Sequence, residues 1–167
     1  MTSDIPGVVV SQRRTWPDQR GDFLELFRSD EYPDAFVQFN HSFSRANVLR
    51  GLHYHRHQAD LWYIVRGLAQ VALADLRGDR AHVEVFELAG GSATTIYIPP
   101  GVAHGYLAIE DVDMLYAVTR TYDPHDEHGV AWNDPQLGIA WRVRDPVLSD
   151  RDRTNPKLRW PDLPSFS

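Results

Sequence analysis

A chain of 167 residues has one domain, 1–167, as its natural size and should bury roughly 70% of its unfolded surface, enough for a core without covalent staples. It has no cysteine, which excludes disulfides and thiolate metal sites and suits a reducing compartment. The net charge of -6 argues against a general nucleic-acid binder, although 16 of the 17 basic residues are arginine, whose planar fork can still grip a small anion, and the only lysine is Lys157.

The first residues, Met1-Thr2-Ser3-Asp4, lack the basic and apolar regions of a signal peptide, and no apolar run is long enough to cross a membrane. The expectation is a soluble, cytoplasmic protein with no membrane and no nucleic-acid partner. Val8-Val9-Val10 reads as a first strand and Trp16 to Asp22 as a turn. In Phe23-Leu24-Glu25-Leu26-Phe27 only Glu25 is polar, which predicts a strand buried on most sides or lying in an interface. Phe36 to Ser44 alternates, with Phe36, Gln38, Asn40, Ser42 and Ser44 on one face and Val37, Phe39, His41 and Phe43 on the other. One side of this strand therefore offers the hydrogen-bonding groups that a polar ligand pocket requires.

The densest chemistry lies between Arg50 and Gly67. It combines Arg50, His53, His55, His57 and Asp60 with an apolar strand that stops at Gly67. Residues two apart on a strand share a face, so His53 and His55 can look into one cavity. Further strands are expected at 70–75, 82–88, 93–98, 104–108 and 113–119, separated by turns at Arg77-Gly78-Asp79, Gly90-Gly91-Ser92 and Pro99-Pro100-Gly101. No helical periodicity interrupts residues 1–122, a pattern that predicts an all-β sandwich or barrel. The last third, rich in Pro, Asp and Arg, reads as loops packed over the barrel, with a helical turn near residue 150 capped by Ser149.

The spacing His53-x-His55, Asp60, Gly67, followed by Pro99-x-Gly101-x-x-His104, resembles the two motifs of the cupin superfamily, which implies an antiparallel jelly-roll barrel with its site inside. A closer likeness runs from residue 20 to residue 152. Arg20-Gly21-Asp22-Phe23-Leu24-Glu25, Phe36 to Ser42, Arg50-Gly51-Leu52-His53-Tyr54, Ala103-His104-Gly105-Tyr106, Leu115-Tyr116 with Tyr122, Trp132-Asn133-Asp134-Pro135 and Leu148 to Asp152 resemble, in order, the dTDP-4-dehydrorhamnose 3,5-epimerase family. That likeness implies cofactor-free epimerisation of a dTDP-4-keto-6-deoxyhexose by removal of a proton beside the ketone and its return on the opposite face. It implies His53 as base, Asp152 as the carboxylate that orients it and Tyr116 as the acid. It also implies substrate contacts from Gln38, Asn40, Arg50, His104 and Tyr122. Arg20, Phe23 and Glu25 would reach the nucleotide of a neighbouring subunit in a homodimer with exchanged N-terminal strands.

Two positions depart from the family pattern. His55 stands where glutamine is usual, and Asp60 where a lysine would stabilise the enolate, an intermediate that needs positive charge or hydrogen-bond donors at its oxygen. These changes open a second reading, a metal-dependent isomerase or oxygenase with a divalent ion on His53, His55, Asp60 and His104. A third is a relative that binds the nucleotide sugar without turnover. The plainest reading of these histidines, of Tyr116 and of Asp152 is structural, as satisfied core or capping groups.

Overall fold

The computed structural model describes residues 2–166, and their elements follow one another as short strands. In chain order these are β1 (Val9–Gln12), β2 (Thr15–Asp18), β3 (Gly21–Leu24), β4 (Gln38–Ser44), β5 (Leu49–Tyr54) and β6 (Asp60–Arg66). There follow β7 (Leu68–Asp75), β8 (His82–Ala89), β9 (Thr94–Ile98), β10 (Val102–Ala108), β11 (Val112–Val118) and β12 (His128–Gly129). Two five-stranded antiparallel sheets, ordered β1-β9-β6-β11-β4 and β12-β5-β10-β7-β8, form the all-β sandwich that the spacing of strands and turns predicts and the jelly roll that the cupin likeness implies, while β2 and β3 make a separate hairpin. Among the described residues, helix is confined to α1 (Asp150–Thr154) and two 3-10 turns, Ser29–Glu31 and Trp160–Asp162. Among the described residues no helix is long and apolar enough to cross a membrane.

The core lies between the sheets, where Ile64, Val71, Leu73, Ile96, Val102 and Tyr106 pack together. Strand β7 divides its side chains by parity. Val71 and Leu73 join this core, while Ala72 and Ala74 join a second cluster with Leu52, Val130, Leu137 and Leu158 on the outer face. Trp141, Trp160 and Phe166 pack against that second cluster. The C-terminal third thus covers the second sheet, and every residue of β10 is buried. Ser149 caps α1 as expected, its Oγ accepting from the Asp152 amide at 3.0 Å.

Strands β5 and β10 approach unusually closely at two glycines. A Cβ on Gly105 would fall 2.7 Å from the Arg50 carbonyl oxygen, and one on Gly51, whose φ is +120°, would fall 2.7 Å from the Gly105 Cα. At that approach the register slips between His104 and Tyr106, and His53 lies opposite His104. Sequence reading extends the third strand to Phe27, but β3 ends at Leu24 and Phe23 is 64% exposed. Within a single chain Phe23 is therefore not buried, whereas Leu24, Leu26 and Phe27 are half-buried and Phe27 packs against the cluster of Ala59, Leu61, Tyr97 and Ala117. The hairpin packs on itself instead, with Trp16 against Phe23 and the Arg14 guanidinium over the Trp16 ring.

Candidate active site

One cavity of about 700 Å³ opens between the two sheets. Its first wall is built by register. Strand β11 places Tyr116 between Asn40 of β4 and Trp62 of β6, and Val118 between Gln38 and Asp60. Gln38, Asn40 and Ser42 line the cavity, while Phe39 and Phe43 point out to solvent, as the alternation of β4 requires. The Gln38 amide donates to Asn40 Oδ1 at 2.8 Å. Arg50, from the second sheet, donates through Nε to Ser44 Oγ at 2.8 Å and through Nη2 to the Phe43 carbonyl at 3.1 Å. These bonds hold the guanidinium at the cavity wall.

The second wall carries His53. Its Nε2 lies 2.6 Å from Asp152 Oδ1, a contact between residues 99 apart in the chain, and Asp152 is buried at the first turn of α1. Burial works to raise the Asp152 carboxyl, but hydrogen bonds from His53, Ser149 and the Gly51 amide outweigh it and leave the pKa below the usual carboxylate value. An ionised carboxylate takes the Nε2 hydrogen, so the neutral ring carries its lone pair on Nδ1. Tyr116 belongs to the opposite sheet and lines the same cavity. Burial first, and the Asp60 charge second, push its hydroxyl above the ordinary tyrosine value, so it keeps its proton at neutral pH. The site thus has a proton acceptor on one sheet and a proton donor on the other.

Deeper in the cavity His55, Asp60 and His104, all buried, bring one donor atom each within 4.8 Å of the others. His104 Nε2 is 3.8 Å from Asp60 Oδ2. Burial is the largest influence on His104 and pulls its pKa below the usual histidine value, against the attraction of Asp60. His53 lies outside this group. Of the four residues that the metal reading names, three therefore come together, and the fourth is engaged by Asp152.

Of the other expected contacts, Tyr122 reaches the cavity rim, where its amide donates to Gln38 Oε1 at 3.3 Å. Arg20, Phe23 and Glu25 do not line the cavity; Arg20 instead pairs with Asp18 at the hairpin turn. Sequence reasoning missed Asp126. Its carbonyl accepts from His55 Nδ1 at 2.8 Å, and its carboxylate takes the amides of Arg56 and His57. No sequence signal could reveal it, because its contact to His55 is made through the main chain. Arg120, at the rim, was also missed.

The sequence profile of the dTDP-4-dehydrorhamnose 3,5-epimerase family matches residues 2–159. The chain is 37% identical over 147 residues to the spore coat polysaccharide biosynthesis protein SpsL of Bacillus subtilis, an alignment covering 83% of this chain and 97% of that protein. It is 35% identical to the dTDP-4-dehydrorhamnose 3,5-epimerase of Pseudomonas aeruginosa, covering 89% and 90% respectively. The crystal structure of the dTDP-6-deoxy-D-glucose-3,5-epimerase of Legionella pneumophila, in complex with dTDP-4-keto-L-rhamnose, superposes with a TM-score of 0.87 at 30% identity, over 94% of this chain and 90% of that one.

Proposed function

This chain belongs to the dTDP-4-dehydrorhamnose 3,5-epimerase family and is an isomerase of dTDP-4-keto-6-deoxyhexoses, and we propose that His53, Asp152 and Tyr116 carry out its epimerisation at C3, C5 or both. The hydrogens on carbons beside the C4 ketone are acidic because the electron pair left behind delocalises onto the carbonyl oxygen as an enolate. His53 takes such a hydrogen on Nδ1 as the C–H bond breaks. The Asp152 carboxylate, 2.6 Å from Nε2, stabilises the imidazolium that forms. Tyr116 gives its O–H proton to the other face of the planar carbon, and exchange with solvent restores both side chains. Nothing is oxidised or reduced in either proton transfer.

The observation that carries this reading is the pairing, on one cavity, of a carboxylate-bound histidine with a tyrosine from the facing sheet. Inversion needs base and acid on opposite sides of one carbon, and two packed sheets supply two sides. Gln38, Asn40, Arg50, His104 and Tyr122 bind the dTDP-sugar in this reading, a ligand class supported by the dTDP-4-keto-L-rhamnose complex of the Legionella protein. One domain, residues 1–167, carries His53, Asp152 and Tyr116 together, and the protein works in the cytoplasm as a homodimer. The exposed Phe23 and Phe39 favour such a dimer, with Arg20, Phe23 and Glu25 crossing to the partner's cavity.

Deuterium wash-in from D2O at C3 and C5 of dTDP-4-keto-6-deoxyglucose, followed by NMR, tests the assignment. The wild type should incorporate deuterium at the carbon that is epimerised, and His53→Ala should lower that rate by at least about 100-fold. Tight dTDP binding without exchange at either carbon would reduce the protein to a binding relative.

A further inference from the structure

The proton transfers assigned above leave His55 and Asp60 without a task and give His104 only a place beside the sugar, yet each is held in place from behind. His55 Nδ1 donates to the Asp126 carbonyl at 2.8 Å, and His104 Nδ1 donates to the Val102 carbonyl at 2.9 Å. Those bonds fix the tautomer of both neutral rings and leave Nε2 of each as a lone pair. Asp60 accepts from Gln58 Nε2 at 2.9 Å on Oδ1 and from Trp62 Nε1 at 3.2 Å on Oδ2. Trp62 also packs edge-on against the His104 ring, with centroids 5.2 Å apart. The result is two imidazoles and a carboxylate that bring one potential ligand atom each within 4.8 Å of one another, with His104 Nε2 facing Asp60 Oδ2 at 3.8 Å. Ligand atoms gathered in this way suit a cation at their centre.

We propose that His55, Asp60 and His104 bind one divalent first-row transition-metal ion, with an open coordination position toward the cavity, and that this ion supplies the positive charge required by the enolate oxygen. Two imidazoles and one carboxylate suit Zn, Fe, Co, Ni or Mn, whereas Ca and Mg prefer all-oxygen shells. A metal about 2.1 Å from each donor needs donors roughly 3–3.5 Å apart. The His104–Asp60 separation of 3.8 Å needs to close by only a few tenths of an ångström. Three protein ligands leave room for a further one, as in catalytic rather than structural sites.

The charge role rests on the epimerase reading. The cavity is lined by Asp60, Asp123, Asp126 and Glu127 but by no lysine, and Asp60 is only 4% exposed. A buried carboxylate beside the sugar opposes an enolate, and a divalent ion on it reverses the sign of the local field. His53 stays free for this role, because its partner is Asp152 and not the cluster.

The test begins with protein stripped by a strong chelator and titrated with Zn2+ by calorimetry and with Co2+ by visible absorption. One equivalent per chain is expected, with affinity lowered at least about 100-fold in His55→Gln and in the near-isosteric Asp60→Asn. On the wild type alone, Zn2+ should raise the melting temperature, which keeps the test valid if a variant folds poorly. Deuterium wash-in should fall at least about 100-fold on stripping and return with one equivalent of metal. Absence of stoichiometric binding overturns the proposal while leaving metal-free exchange, if seen, as support for the epimerase. Exchange unchanged in the stripped protein overturns it equally. One bound metal with no exchange in any state supports the site and removes the epimerase reading instead.

Discussion

Tyr116 and His53 approach the cavity from different sheets, and that separation has a consequence that either residue alone would not. If His53 removes the proton and Tyr116 returns one to the other face, Tyr116→Phe leaves the first step intact. The enolate can then be quenched only from the His53 side. The expected outcome is deuterium incorporation at a rate within about tenfold of wild type, with loss of at least about 100-fold in epimer formation. NMR measures both in one sample, and parallel loss of the two would remove Tyr116 from the acid role. Asp152 makes a separate prediction in pH. Its carboxyl titrates lower in the folded chain than in the unfolded one, where the value is about 3.9. It therefore contributes stability that is present above about pH 4 and is lost as pH falls through the folded-state value. The urea midpoint of the wild type should exceed that of Asp152→Asn at pH 6, and the gap should narrow as the pH falls below about 4.

At the scale of elements, the site depends on how closely β5 lies against β10. Replacing Gly105 by alanine would bring a methyl group within 2.7 Å of the Arg50 carbonyl and 2.8 Å of Leu52 Cδ2, so the strands must part. Gly105→Ala should cost about 1–3 kcal/mol in urea unfolding, whereas Gly78→Ala, whose Cβ would meet nothing nearer than 3.7 Å, should be close to neutral. The same strands show what sequence can and cannot tell. The alternation of β4 was legible because one of its faces lines a polar cavity and the other faces out. Strand β10 has no alternation to read, because the sandwich core covers one face and the C-terminal third the other. Strand β12 is two residues long and owes its pairing to β5. The His53–Asp152 contact spans 99 residues, so only likeness to a family could link the two beforehand. The anchoring of His55 and His104 was hidden because both acceptors are main-chain carbonyls.

For the whole molecule, the outer face of the first sheet poses the largest unmet demand. Phe39 is 65% exposed and Val37 56%, with Phe43, Val65 and Leu115 also exposed, and the hairpin adds Phe23. Apolar surface of this extent on a folded chain marks an interface. A second copy is the partner that would also bring Arg20, Phe23 and Glu25 to a cavity, since within one chain they do not line it. Phe39→Asp should therefore weaken self-association by at least about 100-fold in sedimentation equilibrium. Subunit mixing goes further, because it asks which chain completes which site. A His53→Ala chain lacks the proposed base, and an Arg20→Ala chain lacks the guanidinium proposed to cross. If Arg20 serves its partner's cavity, a mixed dimer contains one site with both residues intact and one with neither. Full exchange of equal amounts then restores roughly a quarter of wild-type turnover, since about half the dimers are mixed and each has one competent site. If Arg20 serves its own chain, no mixed site is intact and activity stays at the level of the separate variants.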